Sequence, residues 1–198
     1  MFVKICGLTD AAAIAAAVDA GADAVGFVFA ASPRQVTLNR ARELAEQVPA
    51  EVKRVAVMRH PPQTLVDAVL ETLEPDWLQT DAEDLDDLLV PSDCEVLPVY
   101  RDGSLPPADP RPPRLLFEGA QSGSGQTADW KQAAKLATGT QLILAGGLRV
   151  GNVAAAVAHV RPWGIDVSSG VEQLRGRKDP AKIREFIALV RTLENANE

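Results

Sequence analysis

Two short patterns near the C-terminal end carry the residue types that hold phosphate. LILAGGL at 142–148 and IDVSSGVE at 165–172 each run from apolar, strand-like residues into small ones, and a helix-like segment follows each. Gly146-Gly147 and Ser168-Ser169-Gly170 would bare backbone N–H groups at the ends of two consecutive strands. Such groups beside helix N-termini bind an anion without charged side chains. In an eight-stranded β/α barrel the loops after the seventh and eighth strands form the usual phosphate site. The pattern points to a barrel enzyme acting on a small phosphorylated molecule.

The N-terminal residues offer a second kind of chemistry. Lys4 and Cys6 are two apart on a strand-like run, so their side chains share a face. A free thiol titrates near ~8.5 and needs help to act as a thiolate at neutral pH. Lys4 can give that help, or hold a substrate group instead. Read from the chain alone, Cys6 is equally a small buried core residue.

These residues need a scaffold, and the chain alternates strand and helix signals almost throughout. Strands are expected at Phe2–Ile5, Ala24–Phe29, Arg54–Met58, Trp77–Gln79, Glu95–Val99, Leu115–Glu118, Gln141–Ala145 and Gly164–Val167. Several are continuous apolar runs, as in a parallel sheet buried on both faces. Thr37 caps a helix whose stripe is Leu38, Ala41, Leu44, Ala45 and Val48. Pro61-Pro62 opens another, and Asp179-Pro180 a third with Ile183, Phe186, Ile187 and Val190 facing inward. RDGSLPPADPRPP at 101–113 holds five prolines, so the crossover after the fifth strand is read as an irregular loop. Eight βα units in one domain, 1–198, favour a closed (β/α)8 TIM barrel over an open sheet. A G-x-G-x-x-G turn after the first strand is absent.

Composition narrows the partners. With 46% hydrophobic and 24% charged residues the chain reads as an ordinary soluble globular protein. A formal charge of −7 argues against nucleic acid and anionic membranes, so single Arg and Lys residues must meet an anionic substrate. No apolar run spans a bilayer, and MFVKICGLTD reads as strand and turn rather than as a signal peptide. Cys6 and Cys94 have no paired spacing, which fits a reducing cytoplasm. His60 and His159 stand apart from any Cys/His cluster, so no metal is expected.

KICG at 4–7, GADAVGFVF at 21–29, SPR at 32–34, SGSGQTADW at 122–130, LAGGL at 144–148, and DVSSGVE with KD within 166–179 occur in series. Together they resemble the phosphoribosylanthranilate isomerase family of tryptophan biosynthesis. The resemblance implies a cofactor-free Amadori rearrangement, in which a ring-closed phosphoribosyl amine becomes an open-chain aminoketose. It makes Cys6 the base, Arg34 the anchor for the anthranilate carboxylate, and Gly146, Gly147, Ser169 and Gly170 the phosphate holders. Lys4 would tune Cys6 or bind substrate. Asp166 would bond a ribose hydroxyl or order its own loop, and Gly123 and Gly125 would belong to a loop closing over the substrate.

The general acid is a departure. Relatives usually carry LLD at the end of the sixth strand, whereas this chain reads Leu116-Phe117-Glu118, one methylene longer. A positional error of about 1 Å can cost on the order of 10²-fold in rate. Two further departures alter the pocket wall: VAVMRH at 55–60, and Gln79-Thr80-Asp81-Ala82 where relatives read QLHG. His60 is expected to be a solvated loop residue. The rival expectations are a phosphate-binding barrel without catalysis and a related aminoaldose isomerase using two aspartates. The partner is a small phosphorylated substrate, taken up by a monomer or homodimer.

Overall fold

The computed structural model describes residues 1–108, 110–121 and 125–195. Eight parallel strands close into a barrel in chain order. They are β1 (Phe2–Cys6), β2 (Ala24–Val28), β3 (Lys53–Val57), β4 (Trp77–Asp81), β5 (Glu95–Arg101), β6 (Arg114–Glu118), β7 (Gln141–Leu144) and β8 (Gly164–Val167). The closing pair is β1 with β8, where Lys4 stands opposite Asp166. All eight expected strands form, but β4 and β5 each run two residues further than their apolar runs suggested.

Side chains alternate along each strand, which divides the apolar residues between two cores. Ala24, Val55, Trp77, Leu97, Val99, Leu116, Ile143 and Ala145 fill the barrel interior. A larger cluster, including Val3, Ile5, Phe27, Leu78, Phe117 and Ile165, lies between the sheet and the helices. At the strand starts Phe2 stacks on Trp77 and Trp163, with ring centroids 5.1 and 4.8 Å apart. Arg114 lies over both indoles. This aromatic plug closes the lower end, so an open site can form only at the strands' C-terminal ends.

The helices are α1 (Ala11–Asp19), α2 (Leu38–Ala45), α3 (Gln63–Leu73), α4 (Trp130–Ala137), α5 (Val150–Val160) and α6 (Pro180–Asn195). Asp10, Thr37, Asp129 and Asp179 accept from backbone N–H groups of the first turns of α1, α2, α4 and α6. Such caps satisfy donors that have no partner inside the helix.

One βα unit needs correction: after β4 there is only a 3-10 turn, Ala82–Asp86. After β5, where an irregular crossover was expected, the described residues hold no helix. The first segment is dense in acidic residues, and the second is rich in proline. Leu88, Val90 and Tyr100 pack against the outer core there. No helix among the described residues is long and apolar enough to cross a membrane.

Candidate active site

Strand alternation brings Lys4 and Cys6 to the barrel interior, stacked along β1. Their neighbour across the ladder is Gly26, paired with Cys6. A Cβ on Gly26 would lie 3.1 Å from Cys6 Sγ and 3.3 Å from Lys4 Cε, so the glycine makes room for both side chains. Lys4 is fully buried and its Nζ donates to Asp166 Oδ1 at 2.9 Å. It is not among the residues that line the cavity.

Cys6 does reach the cavity. Burial pushes its thiol above the ordinary value, and the opposing pull of Lys4 and Lys178 is too weak to reverse this. Lys4 thus acts in the expected direction without winning. Burial also works against a charged Lys4, but Asp166 and Cys6 more than offset it and the ammonium is favoured.

This cavity, of about 220 Å³ at the strands' C-terminal ends, is lined by Cys6, Arg34, Gln79, Arg101, Glu118 and Asp166 among others. Arg34 follows β2 and is held by a carboxylate from the far end of the chain. Its Nε donates to Glu172 Oε1 at 2.6 Å and its Nη2 to Glu172 Oε2 at 3.1 Å. Glu172 belongs to a small antiparallel hairpin after β8, formed by β9 (Glu172–Leu174) and β10 (Arg177–Lys178). Glu172 also accepts from Lys178 Nζ at 3.0 Å, and Lys178 in turn donates to the Ser168 carbonyl and hydroxyl. Burial disfavours the Glu172 carboxylate, yet Arg34, Lys178 and the Gly176 N–H together pull its pKa down to about 2. Arg34 is therefore held along its Nε–Nη2 edge by Glu172, and no hydrogen bond runs from its Nη1 to a described residue.

Glu118 ends β6 and stands opposite Arg101 in the ladder with β5. Arg101 Nη2 lies 3.0 Å from Glu118 Oε1, and its Nη1 lies 2.6 Å from Asp81 Oδ1. Asp81 lines the same cavity, whereas Thr80 turns outward and donates its hydroxyl to Asp84. His60 is half exposed but not loose: its Nδ1 is 2.7 Å from Asp84 Oδ1, and its N–H donates to Oδ2 of the same carboxylate. His60, Asp81 and Glu83 have ligand-type atoms within 4.8 Å of one another. Arg101 and Arg59 already flank Asp81, and two cations there disfavour a third.

A recess of about 50 Å³ adjoins the cavity and shares Glu118, Asp166 and Ser168 with it. Gly125, Gly146, Gly147, Leu148 and Ser169 line it. Gly146 and Gly147 have φ of +85° and +59°, and neither spends its N–H in a backbone hydrogen bond to a described residue. A Cβ on Gly147 would lie 2.6 Å from the Gly125 carbonyl oxygen, so the close approach of two loops requires glycine. Gly170, by contrast, is not on the recess wall. A Cβ there would fall on the Leu148 carbonyl oxygen, so the close approach of the two loops requires glycine. Asp166 accepts from Lys4 Nζ and lines both the cavity and the recess. Gly123 lies outside the described residues.

Asp81 and Gln79 lie in the stretch expected to alter the pocket wall, and both line the cavity. Arg101 escaped the sequence reading, because it lies beyond the apolar run that marked β5 and the inward alternation was not carried out to it. Gln79 Oε1 is buried without a hydrogen-bond partner, in a cavity wall shared with Val57, Met58 and Val99.

The chain matches the family model for N-(5'phosphoribosyl)anthranilate (PRA) isomerase over residues 3–188. It is 40% identical to an N-(5'-phosphoribosyl)anthranilate isomerase of Listeria monocytogenes, covering 98% of this chain and 100% of the relative. The crystal structure of phosphoribosyl anthranilate isomerase from Thermus thermophilus superposes with a TM-score of 0.80 at 31% identity, covering 98% of this chain and 100% of the other. A phosphoribosyl anthranilate isomerase in complex with reduced 1-(o-carboxyphenylamino)-1-deoxyribulose 5-phosphate superposes with a TM-score of 0.76 at 26% identity, covering 97% and 99%. With the eight-strand barrel and the full-length similarity agreeing, this chain belongs to the N-(5'-phosphoribosyl)anthranilate isomerase family.

Proposed function

We propose that the protein converts N-(5'-phosphoribosyl)anthranilate to 1-(2-carboxyphenylamino)-1-deoxyribulose 5-phosphate in tryptophan biosynthesis. One observation carries the assignment of parts. Cys6 on β1 and Glu118 on β6, strands that are not neighbours, line one cavity, and the glycine-lined recess opens beside it. A sugar phosphate spanning cavity and recess would present two faces to two different proton-transfer groups.

In this reading the Gly146, Gly147 and Ser169 backbone holds the phosphate, and Arg34 meets the aromatic carboxylate through the guanidinium side that Glu172 leaves open. Glu118 gives a proton to the ring oxygen as the furanose opens, and the nitrogen becomes an iminium cation. Cys6, as thiolate, then takes the proton from the second sugar carbon, and the enol-amine tautomerises to the ketone. In the free enzyme burial favours the thiol, so the thiolate is the minor form. The iminium beside it favours the anion at the moment a base is needed. The rearrangement moves protons within one molecule with no net redox change, and it calls for no cofactor.

Every residue in this assignment comes from one chain, so one domain, as monomer or homodimer, suffices, and the reducing cytoplasm suits a free thiol. The test is turnover of freshly made N-(5'-phosphoribosyl)anthranilate, followed by loss of anthranilate-type fluorescence. Continuous turnover supports the assignment, and a signal that stops at one equivalent identifies a binding protein instead.

A further inference from the structure

Two places where this chain departs from its relatives' usual pattern touch the same side chain. By the resemblance drawn from the sequence, Asp81 takes the place of the histidine of QLHG and Glu118 that of the aspartate of LLD. Arg101 lies between them, 2.6 Å from Asp81 and 3.0 Å from Glu118. Glutamate has one more rotatable bond than aspartate, so its carboxylate sweeps a larger volume and loses more freedom when it is held in one pose. Arginine suits the holding task because its planar fork offers donors in fixed directions. Arg101 must itself be fixed for this to work. Asp81 is 3% exposed, and its strand position is locked in the ladder opposite Val99, two residues before Arg101 on β5.

Resting on the reading of Glu118 as the general acid, we propose that Arg101, braced by Asp81, is a positioning residue that sets the reach of the Glu118 carboxylate. Asp81 holds one end of the guanidinium against β4. The other end draws the Glu118 carboxylate toward β5 and takes up the extra methylene. The acid then sits where a shorter carboxylate would place it without help. In this arrangement an aspartate at 118 withdraws from Arg101 and gains nothing from it.

The test is a double-mutant cycle read as kcat and KM for Glu118→Asp, Asp81→Asn, Arg101→Lys and the combinations with Glu118→Asp. Arg101→Lys keeps a cation beside the buried Asp81, and thermal unfolding checks that each variant folds. Glu118→Asp is expected to lower kcat by about 10²-fold, the scale of a misplacement of about 1 Å. Arg101→Lys and Asp81→Asn each lower kcat about 10-fold, with KM within about threefold, because they disturb placement rather than binding. Either change made on top of Glu118→Asp costs less than about twofold more, since the contact it removes is already gone. Losses that multiply, or that fall on KM alone, overturn the inference. Glu118→Gln separates it from the reading beneath it: if that variant keeps its turnover, the acid assignment fails. If Glu118→Gln is inactive while the cycle is multiplicative, only the positioning role fails.

Discussion

The guanidinium of Arg34 meets the carboxylate of Glu172 along one edge, at 2.6 and 3.1 Å, although 138 residues separate them. This pair ties the loop after β2 to the hairpin after β8, and both groups are nearly excluded from solvent. A buried pair with extra hydrogen bonds fixes geometry more than it adds net stability, but removing one partner is costly.

Glu172 gives that pair a measurable pH signature. Its ordinary pKa of 4.5 falls to about 2 in the folded chain. A depressed carboxylate pKa stabilises the fold above its unfolded value. That stability is lost as pH falls from about 4.5 to about 2, and the shift corresponds to on the order of 3 kcal/mol. Urea unfolding of the wild type and Glu172→Gln should therefore differ most at neutral pH and converge toward pH 2. A gap that does not change with pH would show that the carboxylate charge is not what Arg34 and Lys178 hold.

The thiol of Cys6 is expected to stay protonated at neutral pH in the free enzyme. Burial raises its pKa, and Lys4 and Lys178 only moderate the rise. In a Cys94→Ser background, ultraviolet thiolate absorbance should appear only above the ordinary value of 9.0. Lys4→Met should move it higher still. Thiolate already present at pH 7 would contradict the view that ring opening supplies the charge.

Gln79 should trade stability against substrate handling. Its Oε1 is buried with no partner, and an unsatisfied buried acceptor costs about 1–3 kcal/mol. Gln79→Leu fills a similar volume without that acceptor and should raise the urea midpoint by about 1 kcal/mol of stability. Because Gln79 lines the cavity, kcat/KM should fall in the same variant. A destabilised Gln79→Leu would mean that the amide is satisfied in solution.

The recess predicts a phosphate-specific defect. Gly147→Ala places a methyl 2.6 Å from the Gly125 carbonyl oxygen at a backbone angle of +59°. The loops must separate, so KM should rise at least about 10-fold and competitive inhibition by inorganic phosphate should weaken. Unchanged phosphate inhibition would move the phosphate elsewhere.

The barrel was legible because parallel strands buried on both faces write themselves as continuous apolar runs, as in Ala24–Val28 and at residues 142–144. The glycine recess was legible too, since Gly146-Gly147 follows such a run directly. Strand ends were harder to read. Asp81 and Arg101 extend β4 and β5 with charged residues, where apolar patterning says nothing. Long-range pairing was invisible for a different reason. Nothing near Arg34 or Glu172 in the chain announces the other, and only closure of the barrel brings them together. Lys4 was rightly aimed inward by alternation, but its depth followed from the β1–β8 register with Asp166.

The central claim is that Cys6 and Glu118 transfer protons on a phosphoribosyl substrate. Single-turnover and steady-state rates of wild type, Cys6→Ser and Glu118→Gln with N-(5'-phosphoribosyl)anthranilate test it most directly. The account predicts continuous turnover by the wild type. Both variants should lose at least about 10²-fold in kcat, the scale of a positioned acid or base, while still binding the reduced product analogue. Turnover that survives either substitution at near wild-type rate would contradict it.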